Sequence, residues 1–146
     1  MDSNDKHDLY KITGLLDLSL LFILFLTDTT VAGKIWIIST LLCHFVFFIA
    51  LKYVHVKTLD FIHKFVIILP TIAIFITSIY IKLLSLLFLV LLQILWIIKK
   101  RCILKLKNGC AFGHGDELNI FVIFLSLILA LQIGRNYTIL KNSQVY

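Results

Sequence analysis

One proline, six glycines, three cysteines and a charged share of only 15% leave little in this 146-residue chain from which linkers, a disulfide framework or a polar surface could be built. With no stretch rich in proline or glycine, nothing divides the chain, and a single domain without low-complexity segments is expected. No internal repeat breaks it into units either. The cysteines are odd in number, and Cys43 lies in an apolar run where a thiol behaves as a small hydrophobe, so no disulfide framework is expected. Charge is well below the quarter or so typical of soluble domains. The first eleven residues, MDSNDKHDLYK, lack the basic start, short apolar core and small-residue cleavage site of a secretory signal, and are expected to be retained. Asp2 stands where N-myristoylation needs glycine, and the last residues, QVY, offer no cysteine for prenylation. There is no P-loop, no HExxH, no GxxxG face and no potassium-filter sequence. The reading is of a protein that is not an enzyme and needs no cofactor.

What the chain has instead is hydrocarbon-soluble sequence: 60% hydrophobic residues and a mean hydropathy of +1.01. Residues 65–98 carry a single charge, Lys82. As one helix these residues would run roughly 50 Å against a bilayer core of about 30 Å, so the chain must fold back near Lys82. The expected fold class is all-α, a small polytopic transmembrane helical bundle with five spans at about 12–26, 35–53, 61–81, 83–98 and 118–134. Four spans is the rival, by loss of the first or by fusion of the third and fourth.

The first span is the weakest because it is short and holds Asp17, which costs about 2.5–3.5 kcal/mol at a helix centre. Residues 27–34, with Gly33 and several threonines, read as a connection. Trp36 and Tyr53 bracket the second span, where aromatic rings favour the headgroup level. Thr58 is a plausible N-cap for the third, and Pro70 should bend that helix. The corner is expected at residues 78–82, with Tyr80 and Lys82 at the interface and the lysine reaching outward.

Counting lysine and arginine tests the topology. Five spans place Lys6, Lys11, Lys52, Lys57, Lys64, Lys99, Lys100, Arg101, Lys105 and Lys107 on one face, against Lys34, Lys82, Arg135 and Lys141 on the other. Ten against four is a clear bias. Losing the first span gives eight to six, and fusing the third and fourth gives seven to six with Lys82 inside. A cytosolic N-terminus and a C-terminus on the opposite side follow.

Asp17 and His44 are the polar pair of interest. Each lies ten residues from the first connection, roughly 15 Å along its helix, so an antiparallel hairpin brings them to one depth. A contact would lower the cost of burying Asp17 and is also how proton relays are built. The plainer alternative has Asp17 reaching water and His44 bonded to a nearby carbonyl. Cys102, Cys110 and His114 are metal-ligand types, but their spacing matches no zinc arrangement, and a solvated basic loop is the expectation. Lys99, Lys100, Arg101, Lys105 and Lys107 form a juxtamembrane cluster. It reads as the positive-inside signal, or as a contact for anionic lipid at about 1 kcal/mol per cation. Its position beside apolar runs argues for a membrane partner and against nucleic acid, which the net charge of +6 might otherwise suggest. Asn136-Tyr137-Thr138 is a formal glycosylation sequon lying against the membrane. Ser85, Gln93, Ser126 and Gln132 read as interhelical hydrogen-bonding groups.

The run Trp96-Ile97-Ile98-Lys99-Lys100-Arg101-Cys102-Ile103-Leu104, a helix end leading into a basic Cys-Ile-Leu, resembles a pattern in small uncharacterised multi-span membrane proteins of large eukaryotic DNA viruses. It covers under a tenth of the chain, and Lys105 stands where that pattern has threonine. The resemblance implies a viral membrane and no activity. The functional expectation is a structural or scaffold component of a viral or cellular membrane, with the lipid bilayer as partner and a homo-oligomer left open. The alternative is a small oligomeric proton-coupled transporter or channel using Asp17 and His44.

Overall fold

A computed structural model describes residues 3–53, 56–99 and 116–143. Among them all regular structure is helix, in five helices: α1 (Ser3–Leu26), α2 (Val31–Tyr53), α3 (Val56–Ala73), α4 (Ile79–Lys99) and α5 (Asp116–Ser143). Four contain stretches long and apolar enough to cross a membrane: Lys6–Leu26, Val31–Tyr53, Ile79–Ile98 and Ile120–Thr138. The expected third span is the exception. α3 has 18 residues, about 27 Å of rise, and carries Lys57, Asp60 and Lys64 in its first half.

The helices differ from the expected spans mainly at their ends. α1 begins at Ser3 because residues 3–11, read as a polar tail, continue the helix beyond its apolar part. The first connection shrinks to residues 27–30. Thr30 caps α2: its hydroxyl accepts the Gly33 amide at 3.2 Å and its carbonyl accepts the Lys34 amide at 2.9 Å. Gly33 therefore belongs to the first turn of α2 and not to the connection. Thr58, expected as a cap, lies inside α3.

The corner falls at residues 74–78, earlier than expected. Isoleucine, phenylalanine and threonine at 74–77 are poor helix formers because they lose side-chain freedom against the preceding turn. Pro70 has already removed one backbone donor from the last turns of α3. The helix unwinds through tighter three-residue bonds, from Ile74, Phe75 and Ile76 amides to Thr71, Ile72 and Ala73 carbonyls. Ser78 then precedes α4, and its carbonyl accepts the Lys82 amide at 3.2 Å. Trp36 ties α2 to this region. Its indole Nε1 donates to the carbonyl of Leu69, the residue before Pro70, at 3.0 Å. Trp36, near the start of α2, is consequently buried within the bundle, whereas Tyr53 at the other end of the helix is exposed. Lys82 is corrected too: it is buried against the bundle, not reaching outward, because α4 starts four residues earlier than expected and turns its face inward.

α1 packs on α2 and α4, α2 on α3, and α3 on α4, so the first four helices close a ring. α5 lies outside it against α4. Leu20, Ile23, Trp36, Ile37, Ala73, Ile76 and Ile81 fill the ring at the end bearing both short corners. Phe47, Ala50, Leu51, Leu59 and Ile62 fill the opposite end. Val122, Leu125 and Leu129 of α5 join Ile67 and Leu89 in a third cluster. The outside is apolar as well, with Phe75 84% and Phe25 77% exposed alongside many Leu and Ile side chains. Water would tolerate such a surface poorly and lipid would accept it.

Gly33 marks a close approach. A Cβ there would run into the Thr29 methyl and come within 3.1 Å of Ile81 Cδ1 on α4, whereas one at Gly14 or Gly134 would meet nothing within 4 Å. Gly33→Val should therefore destabilise the folded protein by about 1–3 kcal/mol. Gly14→Ala and Gly134→Ala should leave it unchanged or stabilise it by up to about 1 kcal/mol. Denaturation of purified protein in detergent would read the opposite signs.

Candidate functional site

Asp17 lies near the middle of α1 and His44 near the middle of α2, and the antiparallel pairing of the two helices brings them together. His44 Nδ1 lies 2.6 Å from Asp17 Oδ1, with the side chains 18% and 20% exposed respectively. Further contacts run down the same seam. The Tyr10 and Phe48 rings stack at 5.5 Å and 11°, the Tyr10 hydroxyl donates to the Phe48 carbonyl at 3.5 Å, and Lys6 Nζ reaches the Lys52 carbonyl at 3.5 Å. Residues 17, 10 and 6 thus face 44, 48 and 52 in order. The polar contact and the aromatic contact specify one register.

With the carboxylate ionised, His44 Nδ1–H donates and Asp17 Oδ1 accepts, which fixes the ring's tautomer and leaves Nε2 for another partner. The separation is that of a charge-assisted bond, roughly twice as strong as a neutral one. Such a pair can hold one proton in more than one place. This is its chemical capacity, and each partner also removes the other's cost of lying among apolar side chains.

A cavity of about 130 Å³ lies within the ring beside this pair. All four ring helices contribute to its wall, among them Thr13 and Leu16 of α1, Thr40 and His44 of α2, and Ser85 and Leu92 of α4. Thr40 gives its hydroxyl to the Trp36 carbonyl at 2.8 Å. Ser85, 3% exposed, has a buried Oγ with no hydrogen-bond partner among the described residues.

The remaining polar residues singled out in the sequence fall elsewhere. Ser126 does not bond between helices: its hydroxyl donates to Val122 of its own helix at 2.8 Å. Gln132 Oε1, like Ser85 Oγ, is buried without a partner among the described residues. Lys99 ends α4, and Lys100, Arg101, Cys102, Lys105, Lys107, Cys110 and His114 lie outside the described residues. Among the described residues no group of three or more His, Cys, Asp or Glu side chains could hold a metal ion. Thr13, Thr40 and Tyr10 were not singled out from sequence. Tyr10 lies seven residues before Asp17, two turns along one face, a spacing from which it could have been found.

No family model, no curated protein and no solved structure matches this chain.

A double-mutant cycle should find Asp17 and His44 coupled. Asp17→Ala and His44→Ala should each destabilise the bundle, while the double variant should lose less than the sum of the two. The expected coupling is on the order of 1 kcal/mol, within the range measured for hydrogen bonds between membrane helices. Unfolding titrations in mixed detergent micelles would measure it.

Proposed function

We propose that this chain is a multi-span integral membrane protein whose five helices all cross, serving without enzymatic activity as a structural or scaffold component of a viral or cellular membrane. The observation that carries this reading is how the polar groups are used. Asp17 and His44 are matched to each other, the Trp36 indole serves the carbonyl before Pro70, and the apolar side chains of the outer surface face away from the ring. Polar chemistry here holds helices together. The N-terminus and the basic stretch lie at the cytosolic face, where Lys99, Lys100, Arg101, Lys105 and Lys107 meet anionic headgroups.

α3 crosses in this reading although it is the shortest helix. Its charges are confined to residues 57–64, on the same side as Lys52, and the corner at 74–78 then emerges on the opposite face with residues 27–30. The proximity of Gly33 and Ile81 supports a shared face for those two corners.

A second reading has one observation in its favour. The Asp17–His44 pair lies beside a cavity, as a proton-relay element of a small oligomeric transporter or channel would. One measurement tests the topology and a second separates the two readings. Single cysteines at 29 and 77 should label only from the non-cytosolic side, and cysteines at 5 and 105 only from the cytosol; label at 77 from the cytosol would remove α3 as a crossing. Asp17→Asn should leave the folded bundle and membrane insertion nearly intact in either case. If the protein in liposomes carries no proton flux and the variant is indistinguishable, the scaffold reading stands; flux that vanishes in the variant supports the relay.

A further inference from the structure

The cavity inside the ring is long for its volume. Its wall runs from Leu9 to Leu20 along α1 and from Leu84 to Trp96 along α4, so a space of about 130 Å³ is drawn out over roughly 17 Å at the rise of an α-helix. It is a narrow channel along the bundle axis, and it is not fully enclosed. Its length is close to half of the ~30 Å bilayer core, the depth that one layer of acyl chains fills.

The wall has two unlike sides. Thr13, Thr40, Cys43 and His44 bring polar atoms to it from α1 and α2. Of these, the Thr40 hydroxyl already donates to the Trp36 carbonyl, His44 Nδ1 is engaged by Asp17, and a thiol bonds weakly. From α3 and α4 the lining side chains are Ile, Leu, Phe and Pro, interrupted by the Trp96 indole at one end and by Ser85, whose Oγ is closed off from the space. Water competes for the channel, but each molecule wants about two to four polar contacts and most of them would have to come from one side. Left empty, the lining would lack partner atoms along its whole length. A chain of methylenes meets both sides, and hydrocarbon is what surrounds the bundle once it lies in a bilayer. We propose that the channel is a binding site for a single acyl chain, a proposal that rests on the bundle spanning a membrane. The chain lies along the axis between α1 and α4, against Leu16 and Leu20 on one side and Phe88 and Leu92 on the other. It belongs either to a bilayer phospholipid or to a free fatty acid. Neither the scaffold role nor the proton relay requires this site.

Photolabelling of the full chain in lipid nanodiscs tests it. One arm uses a phosphatidylcholine with a diazirine halfway along one chain; the other uses a fatty acid carrying the same diazirine, added in trace to unlabelled nanodiscs. Modified residues are mapped by peptide mass spectrometry after illumination. Leu18 and Phe25, which face outward, should be modified by the phospholipid, and their failure to label would remove the membrane reading itself. Leu16 and Leu20 line the channel and are only 7% and 1% exposed, so outer lipid cannot reach them. They should be modified as well, by the phospholipid if a bilayer lipid threads a chain inside, or by the fatty acid alone if the occupant is a free acid. Thr13→Phe and Leu92→Phe, which fill the channel from α1 and from α4, should each abolish the inner labelling and leave Leu18 and Phe25 unchanged. The proposal is overturned if the outer residues label while Leu16 and Leu20 label with neither probe, the result expected of a water-filled channel, or if inner labelling survives both filling variants. Should neither variant fold, the map of the unaltered chain decides, because Leu16 and Leu20 are shielded from the surrounding bilayer.

Discussion

A backbone placed in hydrocarbon can leave no amide or carbonyl unpaired, because no water is there to take the bond and each loss costs several kcal/mol. The rest of this structure follows from that constraint. Helices meet it by themselves, and among the described residues everything but the short corners is helical. The difficulty concentrates where helices stop. At the first corner threonines resolve it, with the Thr27 hydroxyl donating to the Ile23 carbonyl at 2.6 Å and the Thr30 hydroxyl capping α2. Near the second, the Trp36 indole of α2 donates to the Leu69 carbonyl and ties the last turns of α3 to its neighbour, while the carbonyl that Pro70 leaves without its helical donor is that of Val66, four residues back.

Ionisable side chains answer to the same constraint with less freedom. Asp17 cannot leave the middle of α1, so the choice is between a partner and a large insertion cost. His44 supplies the partner, and in doing so it sets the register in which α1 meets α2. Tyr10 stacking on Phe48 falls into place seven residues away, and the ring closes through α4. The cavity lies where this polar layer interrupts the apolar packing, between a filled cluster at each end of the ring. A site that must be polar for Asp17 is also hard to fill with aliphatic side chains. The cavity and the pair thus share one physical origin.

Much of this was legible in the sequence because hydropathy and length suffice for it. The all-helical class follows from apolar runs too long for strands and too uncharged for a soluble surface. The common depth of Asp17 and His44 follows from counting residues back from one connection. What composition could not give is direction. Trp36 and Lys82 look like rim residues because they border apolar runs, yet both turn inward, and every span being apolar on most sides leaves no period from which to see it. The corner at 74–78 was placed late because it contains no glycine, proline or asparagine. Its signal was weaker, a β-branched run after Pro70 followed by Ser78 in a capping position. The lone hydroxyl of Ser85 could not be read at all, since whether a helical serine bonds backward depends on its rotamer.

The central claim is that Asp17 and His44 touch inside the bundle, and their mutual geometry can be measured directly. Solid-state NMR on protein reconstituted in lipid, with ¹³C in the aspartates and ¹⁵N in the histidines, would test it. Asp17 and His44 are assigned by comparing spectra with and without each residue. The expected result is strong dipolar transfer between the Asp17 carboxyl carbon and His44 Nδ1. Absence of the transfer would contradict the register of α1 against α2 and with it the arrangement of the ring.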